Sequence, residues 1–125
     1  MVPTGLLLLY YCVMAKRQVS PTPEAAEAIR VLGQQIRIGR HRKGWSAESL
    51  AARIGVSPRT VTSIEAGSPG TSIATVLNAA VTVGVRLFGA DRDELVAMRR
   101  RGDELIALLP GRVFENGGDD AVPDF

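Results

Sequence analysis

Residues 45–67, reading W-S-A-E-S-L-A-A-R-I-G-V-S-P-R-T-V-T-S-I-E-A-G, leave the backbone few choices. Ser46 is a helix-capping residue type, because its hydroxyl can accept from an otherwise unpaired N–H of the first turn. Leu50, Ala51 and Ile54 then fall on one helical face. Gly55 follows where a helix end calls for a left-handed residue. Val56 plugs the corner, and Ser57 offers a second cap. Pro58 takes the first helical position, where its missing N–H costs nothing. In this second helix Val61 and Ile64 point inward, and the helix ends at Gly67. Its opening turns present Arg59, Thr60, Thr62 and Ser63, all able to hydrogen-bond and none needed for a core. The segment reads as two short helices joined by a tight turn.

The flanking sequence supplies more helices. Val19 to Pro23 holds two prolines and reads as a linker, with Thr22 as cap and Pro23 opening a helix that runs to about Lys43. Ile29, Leu32, Ile36 and Arg40 recur along it at helical spacing, and Gly44 ends it. Residues 68–71 (S-P-G-T) form a loop. Ser72 caps a further helix whose inward face carries Ile73, Val76, Leu77 and Ala80, closing near Val83 and Gly84. Val85, Leu87 and Phe88 form a short apolar turn or fifth helix that seals the core. Asp91 and Glu94 have capping-box spacing. They open a long helix with Leu95, Val96, Met98, Leu105, Ile106, Leu108 and Leu109, with Gly102 as a possible kink and Pro110 as its stop. Residues 112–114 (Arg-Val-Phe) are strand-like, and the Gly/Asp tail beyond is too polar to fold alone. No internal repeat is present.

Four regions follow: a leader and linker (1–22), a helical domain (23–90), a C-terminal helix and short strand (91–114) and an acidic tail (115–125). The apolar run at residues 5–13 is too short to span a bilayer. It lacks the basic residues that precede a secretory signal and a small-residue cleavage site after it. Met14 opens a conventional soluble start, so residues 1–13 read as a mis-assigned upstream start or a floppy leader, with a membrane anchor as the alternative. Cys12 is the single cysteine, which excludes a disulfide framework and a cysteine-based metal site and fits the cytoplasm. The single histidine, His41, lies between two arginines and reads as groove-facing or merely exposed. A hydrolytic triad would have to use it in the middle of a basic helix. There is no P-loop, paired His/carboxylate motif or nucleophile elbow, so the reading is non-enzymatic, with no metal and no cofactor.

Charge is distributed unevenly. Between Arg30 and Thr60 there are seven Lys/Arg against one acid, Glu48; from Asp91 to the end there are nine acids against five arginines. A basic stretch of this kind is either a solvated helix face or a surface for a polyanion. Beside two helices and a tight turn it favours the polyanion. That layout is a helix-turn-helix whose second helix enters a DNA major groove. Arg59 at its start can reach guanine O6 and N7 in a bidentate contact. Thr62 and Ser63, three and four residues on, share that face and complete the base-contact set, each with an ordinary exposed helix residue as the alternative. Thr60 points toward the backbone and suits a phosphate. Ser46, Ser57 and Thr71 at helix starts, together with Arg42 and Lys43, complete the phosphate-contact set, since free N–H groups and the helix dipole favour anions.

The chain also resembles the Xre/Cro-type helix-turn-helix regulators, related to phage repressors. The resemblance runs through L-G-Q-Q-I-R (Leu32 to Arg37), Arg40, Gly44, Trp45, S-x-E-x-L-A (Ser46 to Ala51) and I-G-V-S (Ile54 to Ser57). It continues with I-E-A-G (Ile64 to Gly67), T-V-L-N-A-A (Thr75 to Ala80) and Gly84, covering roughly half the chain. It implies an all-α fold: a five-helix, lambda-repressor-like domain with a C-terminal helical extension. It places base contacts at Arg59, Thr62 and Ser63, and makes Arg40 and Glu65 a largely buried structural ion pair tying the first helix to the third. One departure is Ala47, where family members often carry a phosphate-contacting Gln. The implied function is a sequence-specific, autoregulatory repressor of double-stranded DNA. One recognition helix reads few bases, so a homodimer is expected. The long C-terminal helix supplies its interface, and residues 112–114 could add a strand to the symmetry mate. The alternative is that this helix packs back on its own domain. The long helix, R-V-F and acidic tail are also similar to HipB-type antitoxins, which bind a kinase-like toxin.

Overall fold

Capping residues set the boundaries of nearly every element. The computed structural model describes residues 20–115; the readings of residues 1–19, including Cys12 and the two alternative starts, and of the acidic tail past residue 115 lie outside the described residues. Helix α1 spans Pro23–Arg42, and the Thr22 hydroxyl accepts from the Ala25 N–H at 3.2 Å. Glu24 in its first turn and Arg40, His41 and Arg42 in its last complement the helix dipole. Helix α2 spans Ala47–Ile54, with the Ser46 hydroxyl accepting from Ser49 at 3.1 Å. Gly55 ends it at φ 72°, ψ 35°, a left-handed conformation that glycine adopts without a Cβ clash. Helix α3 spans Pro58–Glu65 under the Ser57 cap, and α4 spans Ile73–Thr82 under Ser72. After the single 3-10 turn Leu87–Gly89 comes α5, Arg92–Ala107, whose Asp91 carboxylate accepts from Glu94 at 2.8 Å. The described residues contain no strand, so the fold is all-α.

The chain divides into two compact units, one through Gly89 and one from Ala90. In the first, Ile36 of α1, Leu50 and Ala51 of α2, Val61 and Ile64 of α3, Ala79 and Ala80 of α4, and Val83 form one buried cluster. Leu32, Trp45, Ile54, Val56, Val76, Val85 and Leu87 pack around it. With three alanines among its eight residues, this core brings its helices close together. Two glycines of α1 bring them closer. A Cβ at Gly33 would lie 2.5 Å from the Ile64 carbonyl oxygen and 2.9 Å from that of Glu65. One at Gly39 would lie 2.9 Å from the Val83 carbonyl oxygen. The backbone of α1 therefore rests directly on the ends of α3 and α4.

Four expectations need correction. Ile73, assigned to the inward face of α4, is 76% exposed. It is the first residue of its helix and overhangs the edge of the core, where it lines an apolar groove with Ile29, Leu32, Pro69 and Leu77. Phe88 does not seal the core: it is 84% exposed and sits at φ 53° in the 3-10 turn, while Val85 and Leu87 pack inward. The first unit thus holds four α-helices and a 3-10 turn. Helix α5 continues through Gly102 without a break and stops at Ala107, before Pro110. Residues 112–114 form no strand, and the described residues offer no second strand for them to pair with. No helix among the described residues is long and apolar enough to cross a membrane.

Candidate nucleic-acid interface

The start of α3 is built around its cap. The Ser57 hydroxyl accepts from the Thr60 N–H at 3.3 Å and shares a second hydrogen bond with the Thr60 hydroxyl at 3.0 Å. Both hydroxyls are thereby folded along the helix start. One turn on, the Thr62 hydroxyl donates to the Pro58 carbonyl at 3.1 Å, which keeps its oxygen lone pairs available as an acceptor on an exposed face. Arg59 lies between them, exposed and with no hydrogen-bond or ion-pair partner among the described residues. A long cation with no partner is free to reach an anion or a base edge.

Arg59, Ser57, Thr60 and Ser63 line an open recess of about 260 Å³, which the loop after α3 completes with Ser68, Gly70 and Thr71. No acid lines it. Five of the residues singled out from the sequence meet here: Arg59 and Ser63 from the base-contact set, Ser57, Thr60 and Thr71 from the phosphate set. Thr62 lies outside the recess lining. Ser46 caps α2 with its hydroxyl directed to Ser49. Arg42 and Lys43 line a different cavity, of about 680 Å³, with Gln35, Ile38, Gly39 and residues 83–86. They are exposed cations at the end of α1, not part of the α3 recess.

What aims α3 lies behind it. The Arg40 Nε and Nη2 atoms both lie 2.9 Å from Glu65 Oε1, and Nη1 donates to the Trp45 carbonyl at 2.9 Å. The two side chains are 12% and 7% exposed. One guanidinium thus joins the end of α1, the approach to α2 and the last residue of α3, and it is occupied in doing so. Sequence reasoning missed Ser68 and Gly70, which belong to the recess only because the loop folds back toward α3. It also missed the Arg53 guanidinium 4.0 Å from the centroid of the Trp45 ring, with Lys43 Nζ at 5.8 Å from the same ring. A tryptophan just before a helix cap and an arginine two turns on were the available signal. The contact fixes the start of α2 beside its capping serine.

Helix α2, the Gly55 turn and α3 are a helix-turn-helix. A family model described as a helix-turn-helix domain matches residues 31–97, more than half of the chain, and the protein belongs to that family, a class of DNA-binding domain. Searches of curated proteins and of solved structures each found no match.

Proposed function

We propose that this protein is a sequence-specific regulator of transcription that binds double-stranded DNA as a homodimer and represses its own promoter. The observation behind the reading is Arg59, unpartnered among the described residues, lining a recess of hydroxyls with no acid among its described lining, on a helix held in place by the Arg40–Glu65 pair. With α3 in a major groove, Arg59 reads a guanine through O6 and N7, while Thr62 and Ser63 reach the neighbouring base or a thymine methyl. Ser57, Thr60 and Thr71 border the groove edge and hold phosphate, as does the start of α2 at Ser46, where backbone N–H groups favour an anion. Arg42 and Lys43 add attraction to the backbone that is independent of sequence. Two copies set their α3 helices in successive major grooves, roughly 34–36 Å apart.

The test is selection of duplexes from a random library, with footprinting on the protein's own upstream region. The expected result is an inverted repeat with protected guanines, present in that upstream region. Recovery of no common sequence would overturn the reading. A second role, as an antitoxin holding a kinase-like toxin, draws on Val113 and Phe114, 80% and 75% exposed just ahead of the acidic tail. A kinase-like gene immediately downstream, and co-purification of its product with the full chain but not with one ending at Leu109, are its expected signs.

A further inference from the structure

Nothing among the described residues accounts for Gly102. It lies inside α5, where glycine weakens a helix, and a Cβ built there would meet nothing within 4 Å. Neither a turn nor a tight contact among the described residues requires it. The residues around it are ordered about it. Four residues to either side are Met98 and Ile106, seven to either side are Leu95 and Leu109, and Leu105 lies three beyond. At about 100° per residue, all five fall within about 60° of Gly102 on the helix surface. Met98, Leu105, Ile106 and Leu109 are exposed. Leu109 lies just past the helix, its N–H donating to the Ile106 carbonyl at 3.0 Å, and so prolongs the same face. The one charged residue in the sector, Arg99, is turned along the helix to Asp103 at 2.8 Å. Arg101 and Asp103 lie on the flanks.

A face that is apolar at four and at seven residues either way from a central glycine is complementary to itself in reverse, and at three residues Leu105 of one copy meets the aliphatic stem of Arg99 of the other. We propose that two copies of this chain pair through antiparallel α5 helices crossing at Gly102, with the two-fold axis at that residue. Leu95 of each copy then meets Leu109 of the other, and Met98 meets Ile106. The absent side chain at the crossing lets the two backbones approach closely, which is what a glycine adds at a helix crossing. An unrelated protein partner would have no reason to match a pattern symmetric about one residue. The inference rests on the homodimer in the proposed function and locates its axis.

Sedimentation of the full chain without DNA, combined with cysteine cross-linking, tests it. Wild type should sediment as a dimer. Gly102→Leu, a better helix former, should keep or raise helical circular dichroism while weakening dimerisation about tenfold or more, because its side chain overfills the crossing. In a Cys12→Ser background, mixed Met98→Cys and Ile106→Cys chains should cross-link to each other, and neither should cross-link to itself. Gly102→Cys should form a disulfide with its own copy, since Cα atoms at the axis lie within roughly 7 Å. A monomeric wild type would overturn the homodimer and this inference together. A wild-type dimer that is indifferent to Gly102→Leu, or in which Met98→Cys cross-links to itself, would overturn the antiparallel crossing alone. Dimerisation as described with no preference for any duplex would overturn the DNA reading and leave the crossing standing.

Discussion

Glu65→Ala removes the carboxylate that receives both Arg40 Nε and Nη2 at 2.9 Å, and leaves a guanidinium that is 12% exposed with one remaining partner, the Trp45 carbonyl. Removing one member of a buried pair costs about 3–5 kcal/mol, most of it the penalty of the stranded charge. The retained Trp45 bond and the slight exposure of Arg40 place this case near the lower figure, about 3 kcal/mol. In a domain of fewer than 90 residues each kcal/mol lowers Tm by roughly 4–8 °C, so the expected loss is about 12–24 °C. Thr62→Ala on the exposed face of the same helix gives up one hydroxyl bond to Pro58 and should change stability by no more than about 0.5 kcal/mol. Thermal unfolding followed by circular dichroism compares the two. The double variant Arg40→Met with Glu65→Leu should return close to wild type, because replacing both charges with apolar groups removes the desolvation penalty along with the attraction. Equal Tm values for Glu65→Ala and Thr62→Ala would mean that the Arg40–Glu65 pair is solvated in solution. A double variant as unstable as the two single changes added together would mean that the two residues are uncoupled.

Other outcomes follow from the packing. Gly33→Ala should cost about 1–3 kcal/mol, read as a lower urea midpoint, because the new Cβ meets two carbonyl oxygens of the backbone; an unchanged midpoint would mean that α1 can lift from α3 freely. Arg53→Ala should shift the fluorescence of Trp45, the only tryptophan, and lower stability by about 0.5–1 kcal/mol through loss of the stacked guanidinium. An unaltered spectrum would place the arginine away from the ring in solution. A chain ended after Ala90 keeps the whole buried cluster of the first unit and should be a folded monomer with weak duplex binding. Its sedimentation as a dimer would move the pairing surface into the helix-turn-helix unit.

Local chemistry was the most legible part of this fold. Thr22, Ser46, Ser57, Ser72 and Asp91 each cap the helix that follows, because a cap is decided by a hydroxyl or carboxylate and an N–H three residues away. Gly55 ends α2 for an equally local reason. Long-range packing was less legible. Gly33 and Gly39 carry no hydrophobic signal, yet they decide how closely α1 approaches α3 and α4; their role exists only once carbonyls distant in sequence are brought beneath them. Ile73 has the period of an inward residue, but periodicity gives a direction and not how far the core extends. Phe88 reads as core by composition and is turned out by a positive φ that nothing in its own side chain favours. Arg40 and Glu65 are 25 residues apart, a distance at which spacing says nothing, and their pairing was legible only through the family resemblance. At the candidate interface, the hydroxyls and the arginine of α3 stood out from the sequence. That Thr71, Ser68 and Gly70 share their recess, and that Arg42 and Lys43 do not, depends on how the loop after α3 and the end of α1 are packed.

Base reading by α3 turns on Arg59. The most direct measurement is the affinity of wild type and of Arg59→Ala for the selected duplex and for a random duplex of equal length, each over a series of salt concentrations. Wild type should prefer the selected site. Arg59→Ala should lose about 1–3 kcal/mol there and much less on random DNA. Both proteins should weaken linearly as log affinity against log salt, since each neutralised phosphate releases counterions. Equal loss on the two duplexes would make Arg59 a phosphate contact, and an affinity insensitive to salt would contradict DNA binding by this surface altogether.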